Sequence, residues 1–251
     1  MLYDAFHKNS SVQFKEFIAS ETLDKISLFR VSEELVRIIE RDNYIKLTPL
    51  GALPKKVMVE LYDKKFIFDY AIEKGITKLW KEQDCIAIQS AKIVLEIARI
   101  IKKTNGRMAL TKKGSTLIKA ENRQQFFELF ISTFANHFNW GFNDLYPKKP
   151  IGQLGWTFTI SLLGKYGQVS QPVGFYAQKY AEEFPGFLKE FETNELATCN
   201  QRFTDCFRVR CFERFLEWFG LVEMQKEGES YLDSKVKIKK TAILTKVFNI
   251  N

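Results

Sequence analysis

The chain is short of the residues that most often carry chemistry. It has two histidines, His7 and His137, and four cysteines, Cys85, Cys199, Cys206 and Cys211, in 251 residues. No C-x-x-C pair occurs, and the histidines lie far from the cysteines in sequence, so the close ligand pairs of a zinc site are missing. No metal and no cofactor are therefore expected. The cysteines read as reduced thiols that pack as small hydrophobes, in a cytoplasmic protein. No window of eighteen apolar residues exists, so no membrane-spanning segment is expected. Asp4, His7 and Lys8 stand where a signal peptide needs an apolar run, which supports the cytoplasmic expectation.

Arrangements for catalysis are equally thin. Gly164-Lys165 lacks the rest of a phosphate loop, because Thr159 occupies the place of the first glycine and Tyr166 that of the Ser or Thr. His137 lies among Phe134, Phe138 and Trp140 and reads as a packed histidine. Glu182 and Glu183 are adjacent on a helix and face different ways, so they make no general acid–base pair. No Ser, Cys or His set suggests a nucleophile. An enzyme of unknown class is the weakest reading.

Phenylalanine and positive charge are abundant. There are 23 Phe residues, and the net charge is +8. Counted by fifties, the charge runs −1, +2, +6, −2 and +3, so the excess sits between residues 101 and 150. From Arg99 to Arg123 there are eight basic residues against one acid, Glu121. Clustered Lys and Arg are what phosphate binding needs. The candidate contacts in this stretch are Arg99, Lys102, Lys103, Arg107, Lys112 and Lys113. Arg208 and Arg210, on an arginine-rich helix, are the further candidates. Phe126, Phe127, Phe130, Phe134 and Phe138 recur at helical spacing, as do Phe203, Phe207, Phe212, Phe215 and Phe219. Both sets read first as core stripes and second as an interface.

Along the chain, residues 1–30 read as a lead-in with a short helix over about 11–19. The first unit spans 31–83: a helix from Ser32, a strand over Tyr44–Thr48, and a helix that Pro54 opens. Residues 66–83 should be helical, with Phe66, Phe68, Tyr70 and Trp80 packed inward. The second unit, 84–145, has a helix over Ile86–Ile101 whose narrow polar stripe is Gln89, Lys92, Glu96, Arg99 and Lys103. Asn105-Gly106 makes a tight turn. A strand over Met108–Thr111 and a long helix over about 115–139 follow. Residues 146–200 read as a helical insertion. The last unit, 201–251, has a helix over Phe203–Phe219 and a hairpin with strands at Leu221–Gln225 and Lys235–Lys239.

Leu47-Thr48-x-x-Gly51 and Leu110-Thr111-x-x-Gly114 share a strand-to-helix pattern. Val236–Leu244 is a worn third copy if Lys239 stands for the threonine and Ala242 for the glycine. A helix, a hairpin and a second strand reading Leu-Thr-x-x-Gly resemble the C-terminal half of winged-helix domains. The chain is also similar to uncharacterised bacterial proteins with repeated winged-helix-like units, through Lys165–Gly167 and Phe175–Ala177. The resemblance implies a mainly α protein with short β-hairpins (α+β): tandem winged-helix-like units with a helical insertion. It further implies that one helix and the hairpin approach duplex DNA. A nucleic-acid-binding or regulatory protein is the leading expectation. A protein–protein interaction module, with a protein partner or self-association, is its competitor. Exposure of Gln89, Lys92 and Arg99 discriminates the two: if that face is covered by another unit, base reading by the helix fails.

Overall fold

The structure, a computed structural model, describes residues 10–227 and 235–250. It is α+β, with small antiparallel sheets among the helices. The described residues fold as two compact units, 19–138 and a discontinuous one made of 10–18 with 139–227 and 235–250. The discontinuity comes from strand β1 (Val12–Phe14), which pairs antiparallel with the last strand and so belongs with the C-terminal half. This stretch was expected to be helical. Val12 and Phe14 instead find long-range partners, Ile250 and Phe248, and tertiary pairing overrides local pattern.

Within 19–138 the elements are α1 (Ser20–Leu23), α2 (Ser27–Asp42), β2 (Ile45–Lys46), α3 (Lys55–Tyr62), α4 (Tyr70–Glu73), α5 (Ile86–Ile97), β3 (Ile101–Thr104), β4 (Arg107–Leu110), α6 (Lys112–Leu117) and α7 (Arg123–Asn136). Leu28, Phe29, Leu35, Val36, Ile38 and Ile39 make α2 a core helix, and Asn43, with φ near 64°, ends it. Phe29 meets Phe126 and Phe127 of α7 edge-on, with ring centroids 5.1 and 5.2 Å apart. Asn105 and Gly106 both have positive φ and close the β3–β4 hairpin as expected. The sheet order is β2-β4-β3. The strands that lead into Leu47-Thr48 and into Thr111 therefore belong to one sheet, with Ile45 opposite Met108 and Lys46 opposite Arg107. The helix expected over 115–139 is divided: α6 ends at Leu117, a 3-10 turn covers Ala120–Asn122, and α7 follows.

The other unit continues with α8 (Trp156–Tyr166), β5 (Gln171–Pro172), α9 (Val173–Glu183), α10 (Cys199–Phe207), a π-helix at Arg208–Glu217, β6 (Val222–Glu227), β7 (Lys235–Lys240), α11 (Ala242–Val247) and β8 (Phe248–Ile250). The turn between β6 and β7 lies outside the described residues. The sheet order β5-β7-β6 repeats that of the first unit. Residues 146–200, read as an insertion, supply α8, β5 and α9, which stand in chain order where α2, β2 and α3 stand in 19–138.

The same joint recurs in both units. In the first, Arg99 has φ near 57°, Ile100 N donates to Leu95 O, and the Thr111 hydroxyl donates to Arg99 O at 2.7 Å. In the second, Gly220 has φ near 66°, Leu221 N donates to Leu216 O, and the Thr241 hydroxyl donates to Gly220 O at 2.6 Å. Thr241, not Lys239, is thus the counterpart of Thr111.

Candidate functional site

In antiparallel pairing, residues directly opposite each other share a face, and successive residues alternate. Met108 faces the core with Ile45 and Ile101, all buried. One residue either way puts Lys46, Arg107, Thr104 and Lys102 on the opposite face, and all four are exposed. Lys46 and Arg107 stand directly across from each other, which places like charges side by side. Arg107 is partly relieved by Tyr44, whose ring centroid lies 4.3 Å from the guanidinium carbon.

The remaining candidates of this stretch are exposed around the same hairpin. Lys103 pairs with Glu96 at 3.0 Å. Lys113 donates to Ala98 O at 3.1 Å, and Lys112 begins α6. Arg99 occupies the left-handed corner between α5 and β3. Six predicted residues, Arg99, Lys102, Lys103, Arg107, Lys112 and Lys113, are therefore brought together. Lys46 and Tyr44 join them, although their alternation with Ile45 and Leu47 signals only a strand and not its neighbour.

Arg208 and Arg210 belong to the other unit. Arg210 is 1% exposed and pairs with Asp144, equally buried, through Nε and through Nη2 to Oδ1 at 3.1 Å. Its Nη1 and Nη2 also donate to Lys149 O and Pro147 O at 2.7 and 2.9 Å. Arg208 is held by Asp205 and Glu213. Arg214 donates to Phe142 O and Asn143 O, and burial lowers its ordinarily very high pKa. The arginine density of this helix builds the 142–149 loop onto it and leaves the Arg210 guanidinium nothing to offer a phosphate.

The polar stripe that begins on α5 is enclosed at Gln89 and Lys92 and open at Arg99 and Lys103. Gln89 and Lys92 are buried. Lys92 Nζ lies 2.5 and 2.6 Å from the two carboxylate oxygens of Glu82, and Glu82 Oε2 also accepts from Leu53 N at 2.6 Å. Burial pushes the Lys92 ammonium below its usual pKa, against the pull of Glu82. Gln89 and Lys92 are thus closed off within their own unit, whereas Arg99, the third residue of that test, is exposed.

Two other expectations fail. His137 is exposed at the end of α7, where the helix stops before the buried Phe138. Phe68, Tyr70 and Trp80 are exposed, because α4 is only four residues long and buries nothing. Both phenylalanine stripes are buried, as core stripes should be.

A cleft of about 380 Å³ lies beside α2 in 19–138, lined by Arg30, Glu33, Arg37, Arg123 and Phe126 among others. Its guanidinium groups are already matched: Arg30 and Arg123 to Asp24 and Glu33, Arg37 to Glu34. Among the described residues no group of three or more His, Cys, Asp or Glu could hold a metal, and no helix is long and apolar enough to cross a membrane.

No curated protein and no solved structure matches the chain significantly. A family model does match: over residues 24–125, inside the 19–138 unit that carries the basic sheet, the chain is similar to the Y4jL N-terminal domain, a description that names a domain and no activity.

Proposed function

We propose that residues 19–138 form a winged-helix-type unit that contacts nucleic-acid backbones through the solvent face of its sheet and the β3–β4 hairpin. The order helix, strand, helix, helix, hairpin, with the sheet arranged first-third-second, supports the winged-helix reading. The repeat of that order after residue 150 supports a tandem. The observation that carries the function is the exposed pair Lys46–Arg107, with Lys102 on the same face. Like charges directly opposite on a sheet destabilise it, so the fold gains nothing from the arrangement. A polyanion would relieve it. Because Gln89 and Lys92 of α5 are covered, the contact is with phosphates and independent of base sequence.

The test is fluorescence anisotropy with labelled random duplex DNA across a salt series. The wild type should bind at low salt and weaken steeply as salt rises. Each phosphate contact contributes about 0.9 to the log–log slope, so a Lys46→Glu, Lys102→Glu, Arg107→Glu variant should lose a slope of roughly 3. No binding at low salt sinks the proposal. The second reading, a protein-interaction module, is favoured by the burial of Gln89 and Lys92 and would then take precedence.

A further inference from the structure

We infer that the exposed Trp80 ring, accompanied by the ammonium groups of Lys55 and Lys78, stacks a base of an unpaired nucleotide, with Tyr70 and Phe68 exposed nearby in sequence. This goes beyond phosphate contact and uses none of the sheet residues; it rests on the preceding reading only for the class of partner.

Four large hydrophobics are exposed within thirteen residues of sequence, in a segment that buries few side chains. Phe68 is 72% exposed, Tyr70 62%, Ile76 71% and Trp80 62%. Ammonium groups accompany two of the rings. Lys55 Nζ lies 4.7 Å and Lys78 Nζ 6.0 Å from the Trp80 centroid, and Lys74 Nζ lies 6.0 Å from that of Tyr70. Among the described residues none of these three lysines forms an ion pair.

Four carboxylates of the same stretch are committed elsewhere. Glu60 pairs with Arg41, and Glu73 with Lys65 and the Tyr62 hydroxyl. Asp69 caps α4 by accepting from Ala71 N and Ile72 N. Asp84 accepts from the backbone N–H groups of Trp80 and Lys81 at 2.8 and 2.9 Å, which fixes the main chain that carries the indole. A ring held out on a fixed backbone loses little freedom on binding.

A nucleotide offers the matching pair of groups, a flat base for the ring and a phosphate for the ammonium. Positive grooves with aromatic platforms are how single strands are held without sequence preference. In a duplex the base faces are occupied by their neighbours, so the surface selects unpaired strands.

Tryptophan emission gives a direct test on the full chain. Trp80 is far more exposed than Trp140 and Trp156, at 2% and 4%, while Trp218 is half-buried. A twelve-residue thymidine oligonucleotide should quench the long-wavelength part of the emission. Trp80→Ala should abolish that quench and weaken binding roughly tenfold, the effect of one stacked base. Trp80→Phe should restore most of the affinity without the signal. The Lys46, Lys102 and Arg107 variant should keep the quench, which separates this surface from the sheet. The inference is overturned if the oligonucleotide causes no quench, or if Trp80→Ala binds it as tightly as wild type. It is also overturned if polyglutamate gives the same Trp80-dependent quench at equal charge, since the surface would then take acidic polypeptides.

Discussion

At the scale of single residues, charge and burial pull the two kinds of site apart. Lys46 opposes Arg107 on the open face of the sheet and stabilises nothing there. Lys46→Thr should therefore raise stability by roughly 0.2–1 kcal/mol in urea unfolding while weakening duplex binding. A variant that lost both would show the lysine to be structural. Arg99 carries a similar conflict, because a side chain in the left-handed region costs roughly 1–2 kcal/mol that glycine avoids. Arg99→Gly should melt higher and bind duplex less tightly. The thiols lie at the buried extreme. Burial pushes Cys85 up to about 11 and Cys206 up to about 12, and Cys211, enclosed beside Thr159, also rises. Iodoacetamide at pH 8 should label Cys199 alone in the native protein, and all four thiols in denaturant. The linkage has a definite sign. Between about 9 and 11 the unfolded chain gives up thiol protons that the native state keeps, so stability should fall as pH rises through that window. Cys85→Ala with Cys206→Ala should flatten that decline.

At the scale of elements, the shared Leu-Thr-x-x-Gly pattern conceals two different requirements. Gly51 has φ near 73° and open space around it, so it answers a backbone need. A Cβ on Gly114 would lie 2.1 Å from Ile100 O, so it answers a packing need between α6 and the start of β3. Gly51→Ala should cost about 1–2 kcal/mol. Gly114→Ala should cost more, since main chain must move; urea midpoints of the two variants would rank them. The hairpin, the core stripes and the basic cluster were legible in the sequence because each is a local pattern: Asn105-Gly106, the phenylalanine spacing, the run from Arg99 to Arg123. What stayed hidden depends on partners distant in the chain. Ile45 pairs with Met108 across sixty-odd residues, which made one sheet look like two repeated units. Lys239 looked like the counterpart of Thr111 because the hydroxyl contact that defines Thr241, to Gly220 O, cannot be read from spacing. Likewise the arginines between 202 and 214 looked like a binding face, although Arg210 had Asp144 waiting sixty-six residues away. Arg210→Met would leave that carboxylate buried and unpaired, at a cost of about 3–5 kcal/mol. Faster proteolysis within 142–149 should accompany the lower urea midpoint.

At the scale of the whole molecule, the unit formed by residues 139–250 is completed from the other end of the chain. Val12, Gln13 and Phe14 pair with Ile250, Asn249 and Phe248, and Lys15 N donates to Val247 O at 2.9 Å. Phe14 stacks on Phe248 with centroids 5.4 Å apart, and Val12 and Ile18 are 0% and 3% exposed. Burying a side chain such as Val or Ile contributes about 1.5–3 kcal/mol, so removing this segment withdraws several such increments together with a ladder of hydrogen bonds. The segment is grouped with 139–250, and the 19–138 core is built by α2, α5 and α7. Deletion of residues 1–18 should therefore act on one unit only. Hydrogen exchange should speed up in β7, α11 and β8 and stay unchanged in α2, α5 and the β3–β4 hairpin. Duplex binding, which is assigned to the untouched unit, should survive the deletion with its salt slope intact. If exchange rose equally in both halves, or binding were lost while 19–138 kept its protection, the division of labour between the two units would have to be abandoned.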